Sequence, residues 1–180
     1  MNATPRQLTL AIFVAVTCAT SAVQAAPEAI LKPRSNKSQP LTLNQTGCDA
    51  VEDAMSVVVT DKGKELAHEN FCSVDGRAKA KVVTDKHART YVFLEYGENR
   101  GPNATTTYLA GFQLAPELIE IVRIPISWPT GPTQRFTYKY NIENDQSGGL
   151  RISLHGTDMI GSDCCVPSEK TQTIRIDSAK

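Results

Sequence analysis

What this sequence has little of removes several classes of function. It carries no excess of charge, with 19 lysines and arginines against 19 aspartates and glutamates. Phosphate binding draws on a basic patch or stripe, and here the charges are interspersed along the chain, so neither nucleic acid nor an anionic membrane is an expected partner. There is no Cys-x-x-Cys step, the usual spacing of zinc thiolates and of redox dithiols. There is no Gly-x-Ser-x-Gly elbow either. The nearest approach, Gly161-Ser162-Asp163, lacks the second glycine, which argues against an α/β-hydrolase. The three histidines, His68, His87 and His155, form no His-x-x-x-His pair for zinc, so no metal and no cofactor is expected. Beyond the first residues, no apolar run approaches the roughly 20 residues that cross a bilayer as a helix.

What is present begins with a leader. Arg6 stands ahead of a largely apolar stretch, Leu8 to Val16, and a small-residue segment ends in Ala22-Val23-Gln24-Ala25. Val23 and Ala25 satisfy the small-residue rule of signal peptidase, which predicts a signal peptide over residues 1–25 and export to the periplasm or the medium. A lipid-modified Cys18 is the rival reading; Ala15-Val16-Thr17 lacks the residues such a site normally shows. Removing 25 of 180 residues leaves 155, enough for one domain with a real core. Residues 26–45, with Pro27, Pro33 and Pro40 and few large apolar side chains, read as an extended arm with a short strand near Leu41 to Leu43. Residues 46–180 read as a single disulfide-bonded β domain.

Four cysteines remain after processing, Cys48, Cys72, Cys164 and Cys165, and an even number in an oxidising compartment predicts two disulfides. A bond between the neighbours Cys164 and Cys165 would close a strained eight-membered ring. The expectation is therefore that Cys48 and Cys72 each bond one member of that pair, across loops of about a hundred residues worth roughly 4–5 kcal/mol each.

The fold class follows from periodicity. After Gly76, runs rich in Val, Ile, Thr, Tyr and Phe recur at short intervals between Gly, Pro, Asn and Asp. Strands are predicted at 78–84, 90–96, 105–113, 118–127, 135–141, 150–155 and 172–177. Phe136, Tyr138, Tyr140 and Ile142 alternate with polar residues, as do Leu150, Ile152 and Leu154, so each of these strands should bury one face. Tyr91 to Leu94, and Ile119 to Ile126 apart from Glu120 and Arg123, are apolar on nearly both faces, which suits central strands or a covered sheet. Between Asp49 and Asn70 a helical stripe (Val51, Ala54, Met55, Val58) competes with the β-branched run Val57-Val58-Val59, and a short helix or turn followed by a strand is predicted. The whole reads as mainly β, a single antiparallel sheet, sandwich or open barrel with at most one or two short helices, stapled by disulfides.

Candidates for chemistry are few. Glu95 with Glu98 and Glu117 with Glu120 are paired acids of the kind that hydrolyse glycosides when they flank a bond, but proximity in sequence is not that geometry. The segment Glu143 to Gly148 clusters oxygen ligands before a glycine, yet Leu154 stands where a calcium loop needs its final glutamate. Candidate binding residues are Trp128, the only tryptophan, in a predicted turn, together with Tyr138 and Tyr140; packing against the sheet is the favoured role for all three. The function expected is that of an exported, non-enzymatic binding or interaction protein whose partner is another protein or an envelope component. The alternatives are a carbohydrate or cell-wall binding module, and a hydrolase with a site assembled from His155, Asp158 or the paired glutamates.

Overall fold

The computed structural model describes residues 26–34, 45, 48, 50–101, 104–131, 134–160 and 166–176. Residues 1–25, where a leader is expected, residues 41–44, Cys164 and Cys165 lie outside the described residues. The described residues are all β, with no helix among them. Ten strands follow one another: β1 (Glu28–Pro33), β2 (Glu52–Asp61), β3 (Lys64–Val74), β4 (Ala78–Thr84), β5 (Thr90–Asn99), β6 (Thr105–Leu114), β7 (Leu118–Pro129), β8 (Arg135–Asn144), β9 (Leu150–Ile160) and β10 (Val166–Ile176). They form two antiparallel sheets. One holds β1, β2 and β3; the other is a meander running from β4 to β10 in chain order.

All seven strands expected after Gly76 are present, several of them longer than their apolar runs. The expectation of a helix before them is not met. Residues 52–74 form a hairpin, β2 and β3, around Lys62 and Gly63, which have φ of 51° and 78°. Two successive positive φ values are the signature of a turn whose twist matches that of the flanking strands. The helical stripe was a coincidence of burial: most β2 residues from Glu52 to Thr60 are buried, whichever way they point. Residues 28–33 of the arm also differ from expectation. They pair with β2, from Glu28 opposite Thr60 to Pro33 opposite Met55, and so belong to the sheet.

Two cores flank the first half of the meander. Val92, Leu94 and Tyr96 of β5 pack with Met55, Val57, Val59 and Phe71 of the small sheet. Tyr91 and Phe93, on the opposite face of β5, pack with Ile142, Leu150, Ile152, Leu154 and Ile176 from the folded-back second half. Alternate residues of a strand point to opposite faces, so β5 is covered on both sides. Its unbroken apolar run has that cause.

A glycine makes the second core close. A Cβ at Gly111 of β6 would lie 2.7 Å from Phe93 and 2.8 Å from Val122. Gly111→Ala is therefore expected to lower stability by about 1–3 kcal/mol by forcing these side chains off their seats, read as a lower urea midpoint with an unchanged slope.

The expected disulfide pairing is corrected. Cys48 bonds Cys72, with Cα atoms 5.3 Å apart. Neither is therefore joined to Cys164 or Cys165. Avoiding a ring between the neighbours Cys164 and Cys165 could not find this pairing, which follows from β3 bringing Cys72 back beside the start of the domain.

Candidate functional site

The meander forks. Strands β7 and β8 pair only at Ser127–Thr137, Trp128–Phe136 and Pro129–Arg135. Before that point β7 pairs with β6 alone, and after it β8 pairs with β9 alone. Separation allows the second half of the sheet to fold over the first, and it leaves an opening at the fork.

Arg135 occupies that opening. Its Nε donates to Ser127 Oγ at 2.6 Å, and its Nη2 donates to the carbonyls of Thr105 at 2.5 Å and Ser127 at 3.4 Å. The Ser127 hydroxyl also meets Thr137 Oγ1 at 2.8 Å. A guanidinium has five N–H donors. The bonds described hold the Nε and Nη2 side of the group, and no carboxylate of the described residues lies within ion-pair distance of it. Arg135 is thus a positioned cation with donors to spare.

Two depressions meet at this residue. The larger, about 610 Å³, is lined by Gly97, Thr105 and Thr107 and by the charged residues Asp75, Arg77, Lys79 and Glu95. The smaller, about 330 Å³, is lined by Thr137, Lys139, His155 and Gly156. Glu95 is engaged, accepting from Lys79 Nζ at 3.3 Å and from the Tyr140 hydroxyl at 2.9 Å. Burial, and then the hydrogen bond to the Glu95 carboxylate, pushes the Tyr140 phenol up to about 12. Tyr140 therefore stays a donor at neutral pH. The site as a whole is a groove of net positive charge, with Arg77, Lys79, Arg135 and Lys139 against Asp75 and Glu95, and with Thr105, Thr107 and Thr137 in its lining.

The residues singled out from sequence distribute unevenly around it. Trp128, expected in a turn, lies in β7 opposite Phe136, because the strand runs on to Pro129. It packs on Phe136 with ring centroids 4.6 Å apart and on Tyr138 at 5.9 Å, while Phe136 and Tyr138 meet edge to face at 4.7 Å. Tyr140 reaches the groove wall through Glu95. His155 lines the smaller depression and meets Thr171 Oγ1 at 3.3 Å. His68 and His87 are elsewhere, bonded to Glu65 and to the Ser147 carbonyl.

The paired acids are not brought together. Glu95 and Glu98 are three apart on β5 and so face opposite sides of the sheet. Glu98 is buried on the far side, where it accepts from the Tyr96 hydroxyl at 3.1 Å and pairs with Arg100 at 2.7 Å. One acid of each pair, Glu98 at 3.8 Å and Glu120 at 3.6 Å, is engaged by the same Arg123. The loop after β8 is a hairpin turn in which Asp145 Oδ1 accepts from the Ser147 hydroxyl at 2.7 Å. That bond holds the Asp145 carboxyl below the usual range. Among the described residues, no three His, Cys, Asp or Glu side chains gather where they could hold a metal ion.

Sequence reasoning missed Arg135, Lys79 and Lys139. Each is an ordinary strand-end or alternating polar residue in its own segment, and only the fork brings β4, β6, β7 and β8 to one place. No protein-family model matches the chain, and no curated protein or solved structure matches it.

Proposed function

We propose that this chain is an exported, non-enzymatic interaction protein, and that the groove at Arg135 is where it holds its partner. The observation that carries the reading is the state of Arg135: a guanidinium fixed by hydroxyl and carbonyl acceptors, with donors left over. Ordering a long cation before its partner arrives lowers the entropic cost of association. Charge-assisted bonds to such a group are among the stronger polar contacts. The groove offers donors of this kind and a row of hydroxyls, which is equipment for recognition. The Cys48–Cys72 disulfide is compatible with the oxidising compartment that the leader predicts. Among the described residues, no helix is long and apolar enough to cross a membrane.

The reading is tested by placing a photo-cross-linking side chain at Thr107 and irradiating cells that export the protein. The expected result is one discrete adduct, identified by mass, that disappears when Arg135→Glu is added. A catalytic turnover that maps to the groove, or an adduct pattern unaffected by Arg135→Glu in a folded protein, would replace this reading with another.

A further inference from the structure

The fork leaves two strand edges without a neighbour. Among the described residues, 118–126 of β7 have no strand partner on the side away from β6, and 138–144 of β8 have none on the side away from β9. A free edge presents alternate N–H and C=O groups, which an extended chain can pair with directly. The free edge of β8 starts at Tyr138, one residue beyond Thr137, whose hydroxyl meets Ser127 beside the Arg135 guanidinium.

Charge and spacing narrow the occupant. Arg135, Thr137 and Lys139 alternate along β8, so they lie in one row with a repeat of about 7 Å. Arg135 has no carboxylate partner among the described residues, and none is found for Lys139. An extended peptide that pairs with the edge from Tyr138 onward sets one acid beside Lys139, and an acid two residues further along reaches past the edge toward the Arg135 side chain, whose own main chain is paired with Pro129 of β7. A small anion would meet the side chains and leave the edge unpaired.

We infer that the fork accepts an extended acidic segment of a partner protein, which pairs its main chain with the free edge of β8 and sets carboxylates against Arg135 and Lys139. This deepens the reading of the groove as an interaction site and rests on it.

The test titrates the ¹⁵N-labelled protein with the hexapeptide Glu-Val-Glu-Val-Glu-Val and follows the backbone amides. Shifts concentrated at residues 137–144 are expected, with affinity falling about tenfold in Arg135→Gln and again at high salt, where exposed charges are screened. Lys139→Gln, at an exposed position that leaves the fold intact, should weaken binding in the same direction if the Arg135 variant proves unstable. The same peptide N-methylated at alternate residues should lose binding, because it cannot complete a strand ladder. Equal binding of the methylated peptide, or the same shifts with sodium phosphate alone, would reduce the site to an anion pocket and overturn the inference. So would shifts confined to β7 or an absence of binding. Should the Thr107 adduct still form in an Arg135-dependent way while the hexapeptide fails to bind, this inference falls and the interaction reading stands.

Discussion

Replacing Asp85 by alanine is expected to cost the fold about 3–5 kcal/mol, the usual consequence of stripping one partner from a buried charged network. The Asp85 side chain is fully buried at the turn between β4 and β5. One carboxylate oxygen accepts the backbone N–H groups of His87 and Arg89, both at 2.9 Å. The other accepts Arg89 Nε at 2.6 Å and the Tyr91 hydroxyl at 3.2 Å. Four donors thus converge on one group. Alanine leaves the Tyr91 hydroxyl without its buried acceptor. It also unties a turn that reaches across to the loop after β8, through Lys86 N–H to the Gly148 carbonyl at 3.1 Å.

The same site predicts the response to acid. Burial by itself would push the Asp85 carboxyl up, but the N–H groups of Arg89 and His87 and the Arg89 guanidinium outweigh it and hold the group below its ordinary value of 3.8. A carboxyl with a depressed folded value contributes stability that is fully present above the unfolded value. That contribution is lost as the pH falls through the folded one. Urea titrations from pH 6 down to pH 2 should show stability falling below about pH 4 in the native protein. Asp85→Asn, already weakened at pH 6, should fall less steeply. Parallel slopes for the two proteins would show that Asp85 is not a source of the acid sensitivity.

The second large effect concerns the disulfide. Removing Cys48–Cys72 through the double change Cys48→Ala and Cys72→Ala is expected to cost about 3 kcal/mol by the loop-entropy model, for a sequence separation of 24. Thermal unfolding of native and variant chains reads this directly. The bridge does more than shorten a loop. It holds the approach to β2 against β3, where the Gln45 side chain bonds both main-chain groups of Cys72, accepting its N–H at 2.7 Å and donating to its carbonyl at 3.2 Å. The same Gln45 amide donates to the buried Glu98 carboxylate at 3.3 Å. Peptide mapping without reduction should recover Cys48 and Cys72 in one linked pair. A peptide joining either of them to Cys164 or Cys165 would contradict the pairing.

Much of the fold is legible in the sequence because a strand's burial is written into its alternation. Tyr138, Tyr140 and Ile142 alternate with polar residues and line one face, as do Ile152 and Leu154 of β9. The double-sided run at Tyr91 to Leu94 likewise announces a strand covered on both faces. The same inference fails over Ile119 to Pro125. This stretch also reads as a central strand, yet none of it is buried and Ile119 is 51% exposed, because among the described residues this part of β7 pairs with β6 alone. Apolar character reports what a residue prefers, and the end of a sheet decides whether the preference is met. The candidate site was less legible still. Of the candidate binding residues, for which packing is the favoured role, Tyr140 reaches the groove only through its hydroxyl on Glu95, while Trp128 and Tyr138 pack with Phe136 beside the fork.

The sequence by itself determined the β class and the positions of seven strands, because those depend on residues within a few positions of one another. Only the tertiary structure decided the Cys48–Cys72 pairing, the hairpin of β2 and β3, and the fork that assembles Arg135, Lys79 and Lys139 into one groove. Each of these depends on which strands end up side by side. That choice is made by the summed burial of two cores, with contacts from β1 to β10, and no local pattern contains it.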